Sequence, residues 1–183
     1  GCIVMNCNPF TKGHLALITY AASRCSLLHI FVVEEDRSLF PFEVRMRLVK
    51  EGTAHLPNVK VHPSGPYMIS SATFPTYFLK KGEDAARIQS ELDITLFASR
   101  IAPLFHITKR FAGEEPLDPV TRDYNEAMIR LLPQYSISFI KIARTTAEAP
   151  EGKPEVISAS RVRKLLAETG VTEEVLQLVP PCT

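Results

Sequence analysis

Short apolar runs alternate along the chain with longer segments in which apolar residues recur every three or four positions. The short runs predict strands and the periodic segments predict helices. Strands are predicted at residues 2–8, 27–33, 59–62, 107–112 and 136–142, and helices at 13–24, 42–54, 73–79, 83–102 and 120–132, with a last helix starting near residue 158. Several strands are apolar throughout, which is typical of a parallel sheet covered on both faces. The alternation predicts an α/β fold with a Rossmann-like, doubly wound, mostly parallel five-stranded sheet.

The composition is that of an ordinary globular protein. The 183 residues are enough for one domain with a sizeable core. Hydrophobic residues make up 45% of the chain and charged residues 22%, and the net charge is +1. These values exclude a disordered chain and a polycationic nucleic-acid binder. Any phosphate binding must therefore come from basic groups placed locally.

The cysteines and the apolar runs indicate a cellular location. The four cysteines form no CxxC pair and no cluster with zinc spacing, so we expect reduced thiols in the cytoplasm. No apolar run approaches membrane-spanning length, and no signal peptide is recognisable. The chain starts at Gly1 rather than Met, inside the first predicted strand, which is typical of a fragment.

The first predicted strand breaks directly into a helix at residues 8–14, Asn-Pro-Phe-Thr-Lys-Gly-His. A helix N-terminus carries unpaired backbone N–H groups and favours negative charge, so this turn is suited to a phosphate. Gly13 removes side-chain bulk where a ligand approaches the backbone, and Thr11 and His14 add hydrogen-bond donors. The pattern predicts a nucleotide-binding turn, although a single His at a helix start is more often structural.

A second phosphate-binding pattern lies near the end of the chain, after a segment at 144–155 whose Pro and Gly content predicts a mobile loop. Ser158 is a predicted N-cap, Ser160 adds a hydroxyl in the first turn, and Arg163 adds a guanidinium. Basic residues at 161, 163 and 164 are unfavourable at a helix N-terminus, a cost that a bound anion would offset. Taken alone, the segment is more typical of a capped, solvated surface helix.

Both patterns are expected at one edge of the sheet, because ligands of open α/β sheets bind outside the carboxyl ends of the strands. Residues 34–37 and 113–116 also follow predicted strands. A solvated strand end explains the first of these segments, and the second is equally typical of a plain turn and of a functional segment. The joint occurrence of the first and last patterns, each after its own strand, is much harder to attribute to chance.

These motifs resemble those of a known superfamily. Residues 11–14, Thr-Lys-Gly-His, resemble the T/H-x-G-H signature of the HIGH-type nucleotidyltransferases, and residues 157–163, Ile-Ser-Ala-Ser-Arg-Val-Arg, resemble their I-S-x-S/T-x-x-R signature. Longer runs across nearly the whole chain resemble the citrate lyase ligase family. These runs are residues 6–14, 31–36, 39–42, 72–80, 113–116, 119–125 and 157–163.

The resemblance implies a nucleotidyltransferase-type fold and a specific activity. Members of that family use ATP and acetate to acetylate the thiol of a phosphopantetheine-type prosthetic group on the citrate lyase acyl carrier subunit. They release AMP and pyrophosphate, and the acetylation activates citrate lyase. The family also carries an N-terminal acetyltransferase-like domain that is absent here, so the resemblance implies a single nucleotidyltransferase-like domain at residues 1–183.

The resemblance also implies roles for the residues of the two signatures. Catalysis is assigned to His14, Thr11 and Arg163. His14 and Thr11 would donate to the α-phosphate oxygens of ATP. Ser158 and Ser160, with Arg163, would hold the β- and γ-phosphates and the departing pyrophosphate. Mg²⁺ would bridge phosphate oxygens with few direct protein ligands, so no metal-ligating residue is assigned.

Further nucleotide contacts are expected outside the catalytic group. Asn8 and Phe10, in the first turn, are assigned to nucleotide binding together with Gly13. Gly113 and Glu114 would bound the adenosine pocket, and Arg45 would reach a phosphate.

The acid substrate has no clear site in the sequence. Thr73, Tyr77 and Lys80 lie in a segment that is suited to an acetate pocket. The same residues are equally typical of the core and the surface of one helix.

Two other functions stay open at this point. The first is another adenylyl- or cytidylyltransferase with a phosphate as nucleophile, for which pantetheine-phosphate adenylyltransferase is the nearest relative by motif. The second is a non-catalytic nucleotide-binding module. A nucleic-acid role is disfavoured, because the net charge is only +1 and no basic stripe with interleaved aromatics is present. No membrane partner is expected either.

Overall fold

Five parallel strands form the central sheet of the computed structural model, which describes residues 1–34, 38–70, 72–74, 83–115, 118–148 and 154–183. The strands are β1 (Cys2–Met5), β2 (Leu28–Val32), β3 (Val59–Pro63), β4 (Lys109–Gly113) and β5 (Ser138–Ile142). Their order in the sheet is β3-β2-β1-β4-β5, and every neighbouring pair is parallel. The order reverses between β1 and β4, which makes the crevice between these strands the expected ligand site. The predicted α/β fold is confirmed.

The described residues include six α-helices of six or more residues. They are α1 (Lys12–Ala22), α2 (Phe42–Thr53), α3 (Glu83–Leu96), α4 (Pro119–Leu131), α5 (Ala159–Thr169) and α6 (Glu173–Leu178). After α3 the chain continues through a π-helical turn, Phe97–Ile101, and one further helical turn, Ala102–Leu104. The helix predicted at 73–79 falls largely outside the described residues, and α6 was not predicted.

The apolar strands bury both faces, as the sequence predicts for a covered parallel sheet. Along β1, Cys2 and Val4 join the apolar cluster that also contains residues of α3 and α4. The alternate residues Ile3 and Met5 join the cluster that contains residues of α1 and α2. Because successive side chains of a strand point to opposite faces, a strand covered on both sides is apolar at every position.

Two segments differ from their predictions. The first strand ends at Met5 and not at residue 8, because Cys7 adopts a left-handed conformation with φ of 52°. Cys7 is nevertheless buried, so the apolar run continues beyond the strand. In the segment predicted as a mobile loop, 144–155, the described residues include two short strands, β6 (Thr146–Glu148) and β7 (Pro154–Val156), paired antiparallel. Residues 149–153 lie outside the described residues. Strands of three residues are too short for a periodic signal.

Two observations relate to the predicted absence of a membrane span and to the predicted reduced thiols. Within the described ranges, no helix is both long enough and apolar enough to cross a bilayer. The four cysteines are all free thiols, two of them buried.

Candidate functional site

The turn after β1 is held by a reciprocal cap at the start of α1. Thr11 is the N-cap residue, and its hydroxyl oxygen accepts a hydrogen bond from the backbone N–H of His14 at 3.3 Å. The backbone N–H of Thr11 in turn donates to Nδ1 of His14 at 3.0 Å. This capping box pairs two N–H groups that the helix itself leaves unpaired. The T-x-G-H spacing therefore fixes the His14 ring at the helix N-terminus.

The cap also determines which nitrogen of His14 carries the proton. A nitrogen that accepts the Thr11 backbone N–H cannot itself be protonated, and the Thr11 hydroxyl lies 2.9 Å from the same Nδ1. In a neutral imidazole the other nitrogen then bears the hydrogen. His14 therefore presents Nε2–H as a donor. Its ring also stacks on Phe10, with centroids 6.0 Å apart and planes 13° apart.

His14 is neutral over the physiological pH range. Two effects together lower the pKa of His14 from 6.5 to about 4. The larger is burial, and the smaller is the positive charge of Arg144. A neutral imidazole at a helix N-terminus stabilises developing negative charge by donating a hydrogen bond, without gaining or losing a proton. The site is thus arranged for charge stabilisation at this position.

We expect NMR to detect this state of His14 directly. The imidazole nitrogens should show protonated Nε2 and unprotonated Nδ1 at pH 7, and the ring should titrate well below the ordinary histidine range. The pKa of His14 is lower in the folded protein than in the unfolded chain, so as the pH falls the unfolded chain takes up the proton at a higher pH. Protonation of His14 therefore lowers the free energy of unfolding as the pH falls below about 6.5. A ring that titrates near pH 6.5, or one protonated at Nδ1, would contradict the capping geometry.

Arg163 connects the start of α5 to the first turn. Its Nη1 donates to the backbone carbonyl of Asn8 at 2.5 Å, and its Nη2 donates to the Ser160 hydroxyl at 3.1 Å. The side chain of Asn8 accepts the backbone N–H of Phe40 at 3.0 Å, so its carbonyl is held in place for Arg163. Ser158 caps α5 by accepting the backbone N–H of Arg161 at 3.2 Å. The two sequence patterns therefore meet in space.

Gly13 has a different role from the one expected. A Cβ at this position would lie 3.3 Å from the backbone oxygen of Ile157, which is tighter than ordinary contact. The missing side chain therefore makes room for the chain that leads into α5, and a ligand contact at Gly13 stays a prediction. This close approach brings the N-termini of α1 and α5 together.

The other basic residues of α5 have acidic partners. Arg161 pairs with Glu174 at 2.7 Å, and Lys164 lies 4.0 Å from Glu168 on the exposed face. These carboxylates offset part of the unfavourable charge at the start of α5, so the case for a bound anion depends mainly on Arg163. Arg163 instead turns toward the first turn, where burial lowers its pKa without removing its charge at neutral pH.

The second wall of the crevice is built at the ends of β4 and β5. The Gly113 carbonyl accepts a hydrogen bond from Asn125 on α4 at 3.1 Å, and a Cβ built on Gly113 would meet no described atom within 4 Å. Glu114 is exposed, and its N–H donates to the carbonyl of Ile142 at 2.8 Å. Arg144 binds the Glu114 carbonyl and pairs with Glu115. Gly113 and Glu114 therefore lie at the carboxyl end of β4, and their contact with adenosine stays a prediction.

Arg144 is the functional candidate that sequence reasoning missed. It had been assigned to a mobile loop, yet it lies just beyond β5, and its charge acts on the His14 ring. A lone basic residue directly after a predicted strand was the available signal. The sequence position of Arg144 indicates a place at this site only when β5 is known to lie beside β4.

Arg45 does not reach a phosphate in this structure, contrary to expectation. The side chain is fully buried, and its Nη1 donates to the backbone and side-chain oxygens of Asn6 at 2.9 and 2.8 Å. Nη1 also donates to the carbonyl of Val33 at 2.7 Å, and Nε to that of Phe40 at 2.9 Å. Arg45 therefore ties the ends of β1 and β2 to the segment before α2. Its role is to hold the turn in place.

Three further expectations change with burial. Phe10 is fully buried beneath His14 and so has no surface to offer a nucleotide. Thr11 is only 1% exposed and its hydroxyl is engaged with His14, so it orients the ring instead of facing a phosphate. Thr73, considered for acetate, is buried and donates to Asp93 at 2.7 Å. Tyr77 and Lys80 lie outside the described residues.

No protein metal centre is evident in the described part of the chain. Within those residues, no three side chains of His, Cys, Asp or Glu converge closely enough to hold an ion.

Comparisons with known proteins agree with the motifs. The family model described as citrate lyase ligase C-terminal domain matches residues 1–183. The [citrate [pro-3S]-lyase] ligase of Escherichia coli is 45% identical over 183 residues, which is 100% of this chain and 52% of that protein. The phosphopantetheine adenylyltransferase of Proteus mirabilis is 28% identical over 166 residues, 86% of this chain and 91% of that protein. The chain thus spans about half the length of the citrate lyase ligase relatives.

The fold is shared with solved nucleotide enzymes. The crystal structure of Thermotoga maritima TmcAL bound with alpha-thio ATP superposes with a TM-score of 0.58 at 14% identity, covering 99% of this chain and 53% of that one. At this identity the likeness establishes the architecture alone.

Proposed function

Because the chain belongs to the citrate lyase ligase family through its C-terminal domain, we propose that it uses ATP to adenylate acetate. The acetyl group then passes to the thiol of the phosphopantetheine-type prosthetic group on the citrate lyase acyl carrier subunit, which activates citrate lyase. AMP and pyrophosphate are the other products. The observation that supports this chemistry is that the neutral His14 donor lies in the same turn, residues 8–14, to which Arg163 of α5 binds. Free thiols fit a reducing cytoplasm.

The triphosphate of ATP would lie across the N-termini of α1 and α5. Its α-phosphate would lie at α1, beside the Nε2–H of His14 and the backbone N–H groups of the first turn. Its β- and γ-phosphates belong at α5, beside the Ser160 hydroxyl and the Arg163 guanidinium. Thr11 and Ser158 act indirectly, by capping the two helices and fixing their first turns.

The reaction needs positioning and charge stabilisation rather than acid–base catalysis. A carboxylate oxygen of acetate attacks the α-phosphorus, and the bond from phosphorus to pyrophosphate breaks. Acetate is already ionised at neutral pH, so it requires no base. His14 would stabilise charge on the α-phosphate oxygens, while Arg163 would stabilise the departing pyrophosphate. The carrier thiolate then attacks the acetyl carbonyl, and AMP leaves.

Mg²⁺ is expected to accompany ATP and to neutralise part of the triphosphate charge. The described residues offer no three-residue acidic, His or Cys cluster. The fit is therefore to a cation bound mainly by phosphate oxygens and water, which is the usual coordination of Mg²⁺ with nucleotides.

A second candidate is transfer of the adenylyl group to a phosphate. The similarity to phosphopantetheine adenylyltransferase over 91% of that protein favours it. The groups proposed to bind the triphosphate at the starts of α1 and α5, namely His14, Ser160 and Arg163, are called the phosphate clamp, and they would serve either acceptor. Pyrophosphate release should be measured with ATP and acetate, with ATP and phosphopantetheine, and with ATP alone. We expect release with acetate. Release only with phosphopantetheine would favour the adenylyltransferase, and ATP binding without any release would favour a non-catalytic module.

Arg163→Ala should weaken ATP binding and slow turnover together. Loss of a charge-assisted hydrogen bond costs about 1.5–3 kcal/mol, which corresponds to a roughly 10- to 100-fold rise in the KM for ATP. Lys164→Ala is a matched control, because its side chain is the next one along and is 74% exposed. Steady-state kinetics with varied ATP provide the measurement. Equal constants for Arg163→Ala and the parent would remove Arg163 from the site.

A further inference from the structure

The Arg144 guanidinium is anchored at the carboxyl ends of β4 and β5. Its Nε donates to the carbonyl of Glu114 at 2.7 Å, and its Nη2 pairs with the carboxylate of Glu115. The side chain is 24% exposed, so it is neither a core residue nor a free surface cation. Its Nη1 has no hydrogen-bond partner among the residues that the structure describes, which leaves one part of the fork available.

Arg144 and Arg163 belong to different walls of the same site. Arg163 is anchored on the carbonyl of Asn8, just after β1. Arg144 is anchored on the carbonyl of Glu114, just after β4, the strand that neighbours β1. Both lie near the first turn, since the charge of Arg144 contributes to the low pKa of His14 and Arg163 binds the turn directly. The crevice thus has one cation on each side.

The two arginines are suited to different parts of the substrates, Arg163 to the triphosphate and Arg144 to a carboxylate. Triphosphate binding is already provided for by two helix N-termini, the Ser160 hydroxyl and Arg163. A carboxylate that approaches a phosphate is repelled by it and needs a cation of its own, separate from the leaving side. Arg144 already binds one carboxylate, that of Glu115, with a second donor position open. Arginine is well suited to such planar recognition.

We infer that Arg144 binds the carboxylate of the acid substrate, so that acetate enters along the wall formed by the ends of β4 and β5. This inference rests on the proposed function. It locates the acid on the opposite wall from the pyrophosphate, as in-line displacement at phosphorus requires.

Arg144→Ala tests the inference through the two Michaelis constants. The KM for acetate should rise about 10- to 100-fold, as expected for loss of a charged hydrogen bond, while the KM for ATP changes less than about threefold. Binding of ATP alone, measured by equilibrium dialysis, should stay at the parent value. Lys141→Ala is the matched control, because it removes an exposed cation on β5 whose nearest partner is Glu126 at 3.8 Å.

A second variant separates substrate binding from simple loop support. Glu115→Gln removes the negative partner of Arg144 but keeps an oxygen that accepts the N–H of Asp118. If Arg144 serves the acid substrate, the freed guanidinium should bind acetate as well as before or better. If the ion pair only supports the loop, Glu115→Gln should raise the KM for acetate as much as Arg144→Ala does.

The outcomes distinguish the inference from the function on which it rests. Parent protein without acetate-dependent pyrophosphate release would overturn both. An active parent whose Arg144→Ala variant loses ATP affinity as much as acetate affinity would overturn the inference alone and place Arg144 with the triphosphate. Parallel losses in Arg144→Ala and Glu115→Gln would also overturn it. A selective rise in the KM for acetate, confined to Arg144→Ala, supports it.

Discussion

His14→Ala is expected to lower kcat for acetate adenylation by about two to three orders of magnitude, the usual cost of losing one transition-state hydrogen-bond donor. The donor is Nε2–H, since Nδ1 is occupied by the backbone N–H of Thr11. The interaction strengthens as charge develops on the phosphate, so kcat should fall more than ATP affinity does. Rates of acetyl adenylate formation at saturating ATP and acetate provide the measurement.

Two controls separate this chemical role from the capping role. His14→Asn retains an oxygen that accepts the Thr11 N–H but lacks a donor at the position of Nε2, so it should be as inactive as His14→Ala and nearly as stable as the parent. His55→Ala removes an exposed histidine and should change neither property. Parent-level turnover by His14→Ala or His14→Asn would exclude His14 from the chemistry.

Arg45→Ala should lower the free energy of unfolding by at least about 3 kcal/mol, because three buried or partly buried carbonyl oxygens lose their donor at once. These are the carbonyls of Asn6, Val33 and Phe40, which belong to three separate segments. Arg45→Lys should rescue little, since a single ammonium cannot replace the planar fork. Urea denaturation of the purified variants gives the free energies.

The neighbouring Arg47 provides the comparison on the same helix. Its side chain is 65% exposed and lies 3.9 Å from Glu51, so Arg47→Ala should change stability by less than about 1 kcal/mol. An Arg45→Ala variant that keeps parent stability but loses ATP affinity would restore the phosphate-binding role that the sequence suggested.

The architecture and the site edge could be predicted because they depend on local patterns. Apolar runs marked the five strands, and T-x-G-H with S-x-S-x-x-R marked the starts of α1 and α5. Element ends were less predictable. Cys7 is apolar and buried outside the strand, and β6 and β7 are too short for any periodicity.

The roles of individual side chains depended on contacts that sequence does not contain. Arg45 follows a Glu-Val pair on an amphipathic helix, and nothing local reveals that its guanidinium is enclosed by strand ends. Gly13 was correctly singled out as a place of close approach, but its neighbour is Ile157 from the far end of the chain. Arg144 lies beside the end of β4 because β5, which precedes it, pairs with β4. Each case depends on long-range packing.

The most direct test of the phosphate clamp is a crystal structure with the non-cleavable analogue α,β-methylene-ATP. We expect a non-bridging α-phosphate oxygen within about 2.7–3.2 Å of Nε2 of His14, the range of an N–H···O hydrogen bond. The β- and γ-phosphates should lie against Ser160 and Arg163. A nucleotide bound with its γ-phosphate at His14, or bound away from both helix N-termini, would contradict the account.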